Sequence, residues 1–477
     1  MKKIIAIILA ALVFAGAGTG VAFAIIGNRP QNVAMTAIIN AVEEIAERDE
    51  VAPIYNMLKQ GSLTMSVDKI TMNDEDVLDG ANFSGKMYFS KNAFMLEDAK
   101  VNYGDIKINA DLYLSEDFVY VSEEEIFDAA YGIKFSDLAE ELKNSIFAYG
   151  SGSEYAIPDE EIYNQVIDVL EALEELEASE MKKDAEKLIK KLTKEVWKIA
   201  CDNFEFESEK DEVRINGEKQ KVRVISIVID GKSAANFVSD LYDFIAKDDS
   251  IVKFLEKYED QFPTQFMSDE DKSVVELYEE FIDSLDETID DTCDGIEAMI
   301  TEDIVINVMT PKNSKTLAKL EVKVDKTTLF AIDIGKDGMK KTDKITISAA
   351  GEKLLTYEVK ENSNKSFVAE ISAMGGATLK INLDKKSDEF TLTAKAGETT
   401  AKITGELVSK FGKTTITVDK ITAGDTVIKC DVELIIDEKD KIPAAPKKYD
   451  KISDIKDEDI EAWMEKLAEL GAGAEEE

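Results

Sequence analysis

Lys319-Leu320-Glu321-Val322-Lys323-Val324 and Glu389-Phe390-Thr391-Leu392-Thr393-Ala394-Lys395 put an apolar residue at every second position, with lysine, glutamate or threonine between. That two-residue period is the signature of a strand with one apolar face and one wet face. The pattern persists from Ile304 to Ile436, broken at short intervals by Lys336-Asp337-Gly338, Gly375-Gly376 and Ala423-Gly424-Asp425. The region therefore reads as an antiparallel meander. A second β region, from about Ser62 to Val121, carries Met65, Val67 and Ile70, then alternation through Phe83–Phe89 and Ile106–Leu114.

Helical spacing fills the intervals. Met35, Ile38, Ile39, Val42 and Ile45 mark a helix within residues 31–60, and Ile162, Val166, Val169, Leu173 and Leu176 mark another after Pro158-Asp159. Met181 to Ala200 follows with Leu188, Leu192, Val196 and Ile199. A hairpin then interrupts: Val213-Arg214-Ile215 and Val222-Arg223-Val224 flank Asn216-Gly217, a pair that readily takes the positive φ angles of a type I′ turn. Helices resume near Ser233, and a long acidic helix is expected from Asp269 to Met299, with Val274, Leu277, Phe281, Leu285, Ile289 and Ile296 as its buried stripe. Asp-Lys-Ile-Thr occurs at Asp68–Thr71, Asp343–Thr346 and Asp419–Thr422, and SLTMSVDKIT (62–71) matches KTTITVDKIT (413–422) over a longer span. The match reads either as a duplicated hairpin or as chance recurrence among strands built from Lys, Thr, Ile and Asp. Pro443, Pro446, Lys447 and Lys448 read as a stiff polar linker to an amphipathic helix, Ile455 to Leu470, which folds back or serves as a docking peptide.

At the other end, Lys2-Lys3 precede an uncharged run from Ile4 to Ile26. As a helix it would reach about 34 Å at about 1.5 Å per residue, enough to span a bilayer core. Positive charge before the run puts the N-terminus inside and the body outside. Ala22-Phe23-Ala24 also has the small-x-small form of a signal cleavage site, so the body is either membrane-anchored or secreted after cleavage following Ala24.

Composition narrows the chemistry. The 477 residues include no histidine, which excludes Ser-His and Cys-His nucleophile pairs and His-ligated zinc. With 98 acidic against 57 basic residues and a net charge of −41, the chain as a whole repels nucleic acid, anionic lipid head groups and anionic wall polymers, so no nucleic-acid partner is expected. Three cysteines (Cys201, Cys293 and Cys430) are too few and odd in number for a disulfide framework, and read as thiols used as small apolar groups. Asp290-Asp291-Thr292-Cys293-Asp294-Gly295 opens like a calcium loop, but its twelfth position is Thr301 instead of glutamate. Asp333 to Lys344 fails likewise at Lys344. Ser-x-x-Lys occurs at Ser66/Lys69, Ser179/Lys182, Ser250/Lys253 and Ser453/Lys456 without the companion acyl-transfer motifs. Paired carboxylates for glycoside hydrolysis need no histidine and survive this filter, yet no Trp/Tyr cluster stands beside an acidic pair, and Trp197 and Trp463 fall on helix faces as packing residues. The expectation is a non-catalytic protein with no cofactor and no metal.

The expected fold is α+β, with large curved antiparallel β-sheets (a meander) packed around helices and an N-terminal transmembrane or signal helix. Five segments divide the chain: 1–30, the anchor or signal; 31–230, an α+β region; 231–300, helical; 301–440, the meander; and 441–477, the linked terminal helix and acidic tail. This element order resembles the exported lipoprotein-carrier superfamily, in which a half-open barrel wraps helices over an apolar cavity. The Lys-Lys anchor, acidic strand-rich body and Pro-linked terminal helix also resemble membrane-anchored extracytoplasmic proteins of clostridial-type bacteria. The first resemblance implies a bound lipid or lipopeptide, with Leu320, Val322, Phe330, Phe390 and Leu392 lining the pocket; the same residues would also serve as an ordinary dry core. The alternatives are a scaffold or adhesion-type body that meets a protein partner through sheet edges or the terminal helix, and a carboxylate-dependent hydrolase.

Overall fold

The computed structural model describes residues 29–48, 51–73, 75–77, 80–103, 106–123, 125–175, 178–259 and 272–473. The apolar run Ile4–Ile26, with both its anchor and its signal reading, lies outside them. Among the described residues no helix is long and apolar enough to cross a membrane.

Eleven α-helices and twenty strands are present among the described residues. The strands are β1 (Gln60–Met72), β2 (Glu75–Asp76), β3 (Asn82–Ser90), β4 (Ala93–Tyr103), β5 (Ile106–Ser115), β6 (Phe118–Glu123) and β7 (Tyr131–Lys134). Further helices precede β8 (Glu205–Ile215) and β9 (Glu218–Ile229). Four more helices lead to β10 (Ile304–Pro311), β11 (Lys319–Val324), β12 (Thr327–Asp333), β13 (Lys344–Ala349) and β14 (Glu352–Asn362). The chain then runs through β15 (Ser366–Ala373), β16 (Thr378–Asp384), β17 (Glu389–Ala396), β18 (Thr399–Lys410), β19 (Lys413–Ala423) and β20 (Thr426–Asp437). The architecture is α+β with an antiparallel meander, as the alternation implies.

Two compact units result, each discontinuous in sequence. The described residues of Met1–Arg48, with Ser179–Lys360 and Ala369–Ala377, form the first; those of Asp49–Ala178, Glu361–Val368 and Thr378–Glu477 form the second. The serial segments read from the sequence follow element type along the chain, whereas compactness groups its early and late parts.

In the first unit the strands pair in the order β8-β9-β10-β11-β12-β13-β14, all antiparallel. Register explains the core. Ile306 faces Ile227 on one side and Val322 on the other, and Val308 faces Ile225 and Leu320, so a single face collects the branched residues. Helices Ala178–Asn203, Gly231–Lys247 and Ile289–Met299 cover part of it through Ala200, Phe237 and Ile296. Helix Pro30–Ala46 covers the rest with Val33, Ala34, Ala37 and Ala41 against Ile225 and Val308. Asn216 and Gly217 take φ of 51° and 89°, as the type I′ turn requires.

In the second unit the order is β7-β6-β5-β4-β3-β1-β20-β19-β18-β17-β16, with β2 paired to the end of β1. Strand β20 thus lies between β1 and β19. SLTMSVDKIT and KTTITVDKIT are these two neighbours of β20: Ser62 and Lys413 both face Asp437, and Val67 and Val418 both face Val432. Each ladder is irregular at the same Val-Asp-Lys step, so the sequence match has a structural counterpart.

The segment after β20 departs from a polar linker. Ile442, Ala445 and Tyr449 pack on Tyr88, Met95, Tyr113 and Phe118, which share one face of β3–β6. A side chain at Gly132 would meet the Tyr449 ring at 2.8 Å, so glycine is needed there for the approach. Helix Asp457–Gly473 folds back, with Trp463 edge-on to Phe127 and Tyr131 at 4.9 and 5.2 Å between centroids. Lys451 pairs with the buried carboxylate of Glu141, and Ser453 donates to the same group.

Three helix expectations need correction. Residues 31–60 hold two helices, Pro30–Ala46 and Ala52–Lys59, and the first buries its alanines while Val42 and Ile45 are exposed. Small residues let the helix axis approach the sheet closely, which a count of large apolar residues misses. The acidic helix is two, Val274–Asp286 and Ile289–Met299. Between them the Thr288 hydroxyl bonds the Ser284 and Leu285 carbonyls, competing with the helical ladder. Phe281, placed on the buried stripe, is exposed, as is Ile162. The side chains of Val169, Leu173, Leu176 and Leu470 lie outside the described residues.

Candidate apolar binding face

Nine successive strands of the second unit, from β16 through β20 and on through β1, β3, β4 and β5, share one apolar face. Register partners follow each other across it: Leu383–Phe390, Leu392–Ile403, Ile403–Ile421, Ile421–Ile428 and Ile428–Met72. On the far side Val67–Phe83, Met87–Leu96 and Leu96–Leu112 continue it. The opposite face of β16–β20 carries chiefly Lys, Thr, Asp and Glu, for example Lys380, Thr393, Lys402, Thr404 and Lys420. Period-two alternation accounts for this partition without further argument.

Among the large described apolar side chains of this face, Ile436 is buried, as is Met57 of helix Ala52–Lys59, which packs on β1, β3 and β20. Most of the others are half-buried, and Met72 and Leu114 are exposed. At the β7 edge Tyr131 and Val121 are register partners, and Trp463 meets Tyr131 edge-on. The terminal helix therefore covers that edge of the same face. Gly405 supplies a low point near the middle, where a Cβ would lie 1.8 Å from the Thr417 carbonyl oxygen and 2.9 Å from the Phe390 ring.

The five pocket residues expected from the sequence separate into two groups. Leu320, Val322 and Phe330 belong to the first unit, where Val322 is buried in the helix-covered core and the other two pack against it. Phe390 and Leu392 lie half-buried on β17, on the apolar face of the second unit. The two groups share a strand pattern and differ in what lies over them, a distinction that alternation does not carry.

A cleft of about 480 Å³ lies on the other face of the first unit's sheet, lined by Glu209, Asp211, Arg214, Asn307, Lys319 and Glu321 among others. At its floor Glu321 is 7 % exposed. Lys323 and Lys319 approach it at 2.8 and 3.5 Å, and Thr328 and Asn307 donate to it. Burial pushes the Glu321 carboxyl up, but the lysines and Thr328 outweigh it and hold the group below its ordinary range. The Glu321 carboxylate is thus neutralised by lysines of its own sheet face.

All three cysteines are free and half-buried. Burial pushes the Cys201 thiol up to about 11, and raises Cys293 and Cys430 as well. Cys430 faces Ile70 on the apolar face. Residues 290–295, the calcium-like stretch, are helical. No family model, curated protein or solved structure matches this chain.

Proposed function

We propose that the chain is a non-catalytic extracytoplasmic binding protein that holds an apolar ligand, a lipid or lipopeptide, on the sheet face of the second unit. The supporting observation is the extent of half-buried apolar surface on that face. Nine strands at about 4.8 Å spacing make it roughly 40 Å wide. Soluble proteins seldom leave contiguous apolar patches beyond a few hundred Å² without a use for them. The reverse face is polar on β16–β20 and covered by Ile442, Ala445 and Tyr449 on β3–β6, which favours a ligand on one side only. Delivery across a membrane follows from Lys2-Lys3 and the Ile4–Ile26 run.

The scaffold reading has less in its favour. Strand β8 pairs only with β9 among the described ladders and carries Glu205, Glu207, Glu209, Asp211 and Glu212, the charge pattern that discourages edge pairing. The Trp463 face of the terminal helix is spent on Phe127 and Tyr131.

Native mass spectrometry of the purified full chain tests the proposal. An added mass lost on denaturation is the expected result. A bare mass that stays bare after incubation with membrane lipid extract would overturn it. Alkylation locates the ligand: Cys430 should react several-fold more slowly in lipid-loaded protein, with Cys201 and Cys293 unchanged.

A further inference from the structure

We propose that one end of the second unit's sheet docks on an anionic lipid bilayer surface, with Phe411, Leu58 and Ile54 as the inserting side chains. This contact is separate from the Ile4–Ile26 run and does not rest on the apolar ligand proposed above.

Phe411 sits at the apex of the β18–β19 hairpin and is 95 % exposed. Its φ of 58° is a left-handed conformation that bulky side chains rarely adopt. The backbone there is held firmly. The Lys439 ammonium donates to the Phe411 carbonyl at 3.0 Å, and the Glu438 amide donates to the Gly412 carbonyl at 2.9 Å. The turn is thus pinned in an uncommon conformation with its ring in solvent, the reverse of what burial of a phenylalanine would give.

A second apolar group lies at the same sheet end. Helix Ala52–Lys59 packs against β1, β3 and β20 and exposes Ile54 (50 %), Tyr55 (39 %) and Leu58 (52 %). Its Asn56 amide donates to Glu438 at 2.9 Å, and Glu438 in turn bonds the Phe411-Gly412 turn, so helix and hairpin tip are adjacent.

Charge selects the occupant. At the corner formed by the helix, the hairpin tip and the chain after β20 (52–60, 409–413 and 437–441), Lys59, Lys410, Lys413, Lys439 and Lys441 outnumber Asp437, Glu438 and Asp440, whereas the neighbouring turn 384–389 is acidic. Asp440 is already paired with Lys86 at 2.6 Å, and Lys59 lies 4.2 Å over the Tyr55 ring. Elsewhere acidic residues exceed basic ones by a wide margin, so this locally basic corner is a departure from the whole. Exposed aromatic and aliphatic side chains ringed by lysines complement the headgroup layer of an anionic bilayer.

The test places a reporter at the tip. Phe411→Trp in the full chain is mixed with phosphatidylglycerol or phosphatidylcholine vesicles, with and without brominated acyl chains, and wild-type emission is subtracted to remove Trp197 and Trp463. A blue shift and bromine quenching in phosphatidylglycerol, much weaker in phosphatidylcholine, are expected. Lys410→Glu with Lys413→Glu should then weaken that signal roughly tenfold or more. A reporter that stays unquenched in both lipids would overturn the proposal. So would equal quenching in both, or a shift that grows with protein concentration without vesicles, which would mean that copies of the chain meet there. Loss of quenching with a denaturation-labile lipid mass retained would sink this docking alone and leave the ligand reading standing.

Discussion

Asn216 shows how a residue chosen for its turn conformation acquires a second role. Its amide group donates to the Ile334 and Lys344 carbonyls at 3.2 and 2.9 Å, its backbone amide donates to Asp333, and its side-chain oxygen accepts from Thr346. The hairpin tip is thereby clamped to β12 and β13. Asn216→Gly keeps the positive φ and loses the side-chain bonds, so it should cost about 1–2 kcal/mol in denaturant unfolding. Asn216→Ala loses both and should cost about 2–4 kcal/mol, and equal losses for the two would remove the clamp from the account. Glu321 makes a pH-dependent contribution. Its carboxyl is held below the ordinary range when folded, so its stabilisation is complete above about pH 4.5 and is lost as pH falls through the lowered folded value. Glu321→Gln should therefore be less stable than wild type at neutral pH, and the gap should narrow on acidification. The Asn-Gly turn was legible in the sequence, but the buried Glu321 was not, because alternation assigns every second residue of β11 to water.

At the scale of elements, what could be read depended on period. Two-residue alternation identified the meander and the polar reverse face, since nothing but a pleated strand produces it. Helical phase was harder to read: in Pro30–Ala46 the buried side is the alanine side, and the larger Val42 and Ile45 face outward. The SLTMSVDKIT and KTTITVDKIT match gained meaning only from the pairing of β20 with both strands. The apolar face was half legible. Phe390 and Leu392 stand out by pattern, but the same pattern selects Val322, which helices cover. The terminal helix offers an independent check. Trp463→Ala removes its edge-on contacts with Phe127 and Tyr131, and should cost about 2 kcal/mol while making residues 457–473 the first site of limited proteolysis. Unchanged cleavage would mean that the helix is held chiefly by Lys451, Ser453 and Lys466, which bond Glu141 and Asp128.

For the whole molecule the governing fact is that both compact units are assembled from separated stretches of chain. The first has a long continuous piece, Ser179–Lys360, whereas the second needs β1 and β20 to meet. Truncation before Thr426 removes the strand shared by β1 and β19. It should leave residues 179–360 protected from protease and the second unit open to digestion; protection of both would show that β20 is dispensable. The same pairing sets a timetable for synthesis. Ser62 emerges well before its partner Asp437, by an interval of roughly 20–75 s at about 5–20 residues per second. Through that interval β1 has β3 on one side and a bare, apolar-faced edge on the other, a nascent template onto which any passing strand can zip. A newborn copy of this protein is therefore most in need of a chaperone before β20 is made, and most prone to join its siblings if ribosomes crowd together or stall there.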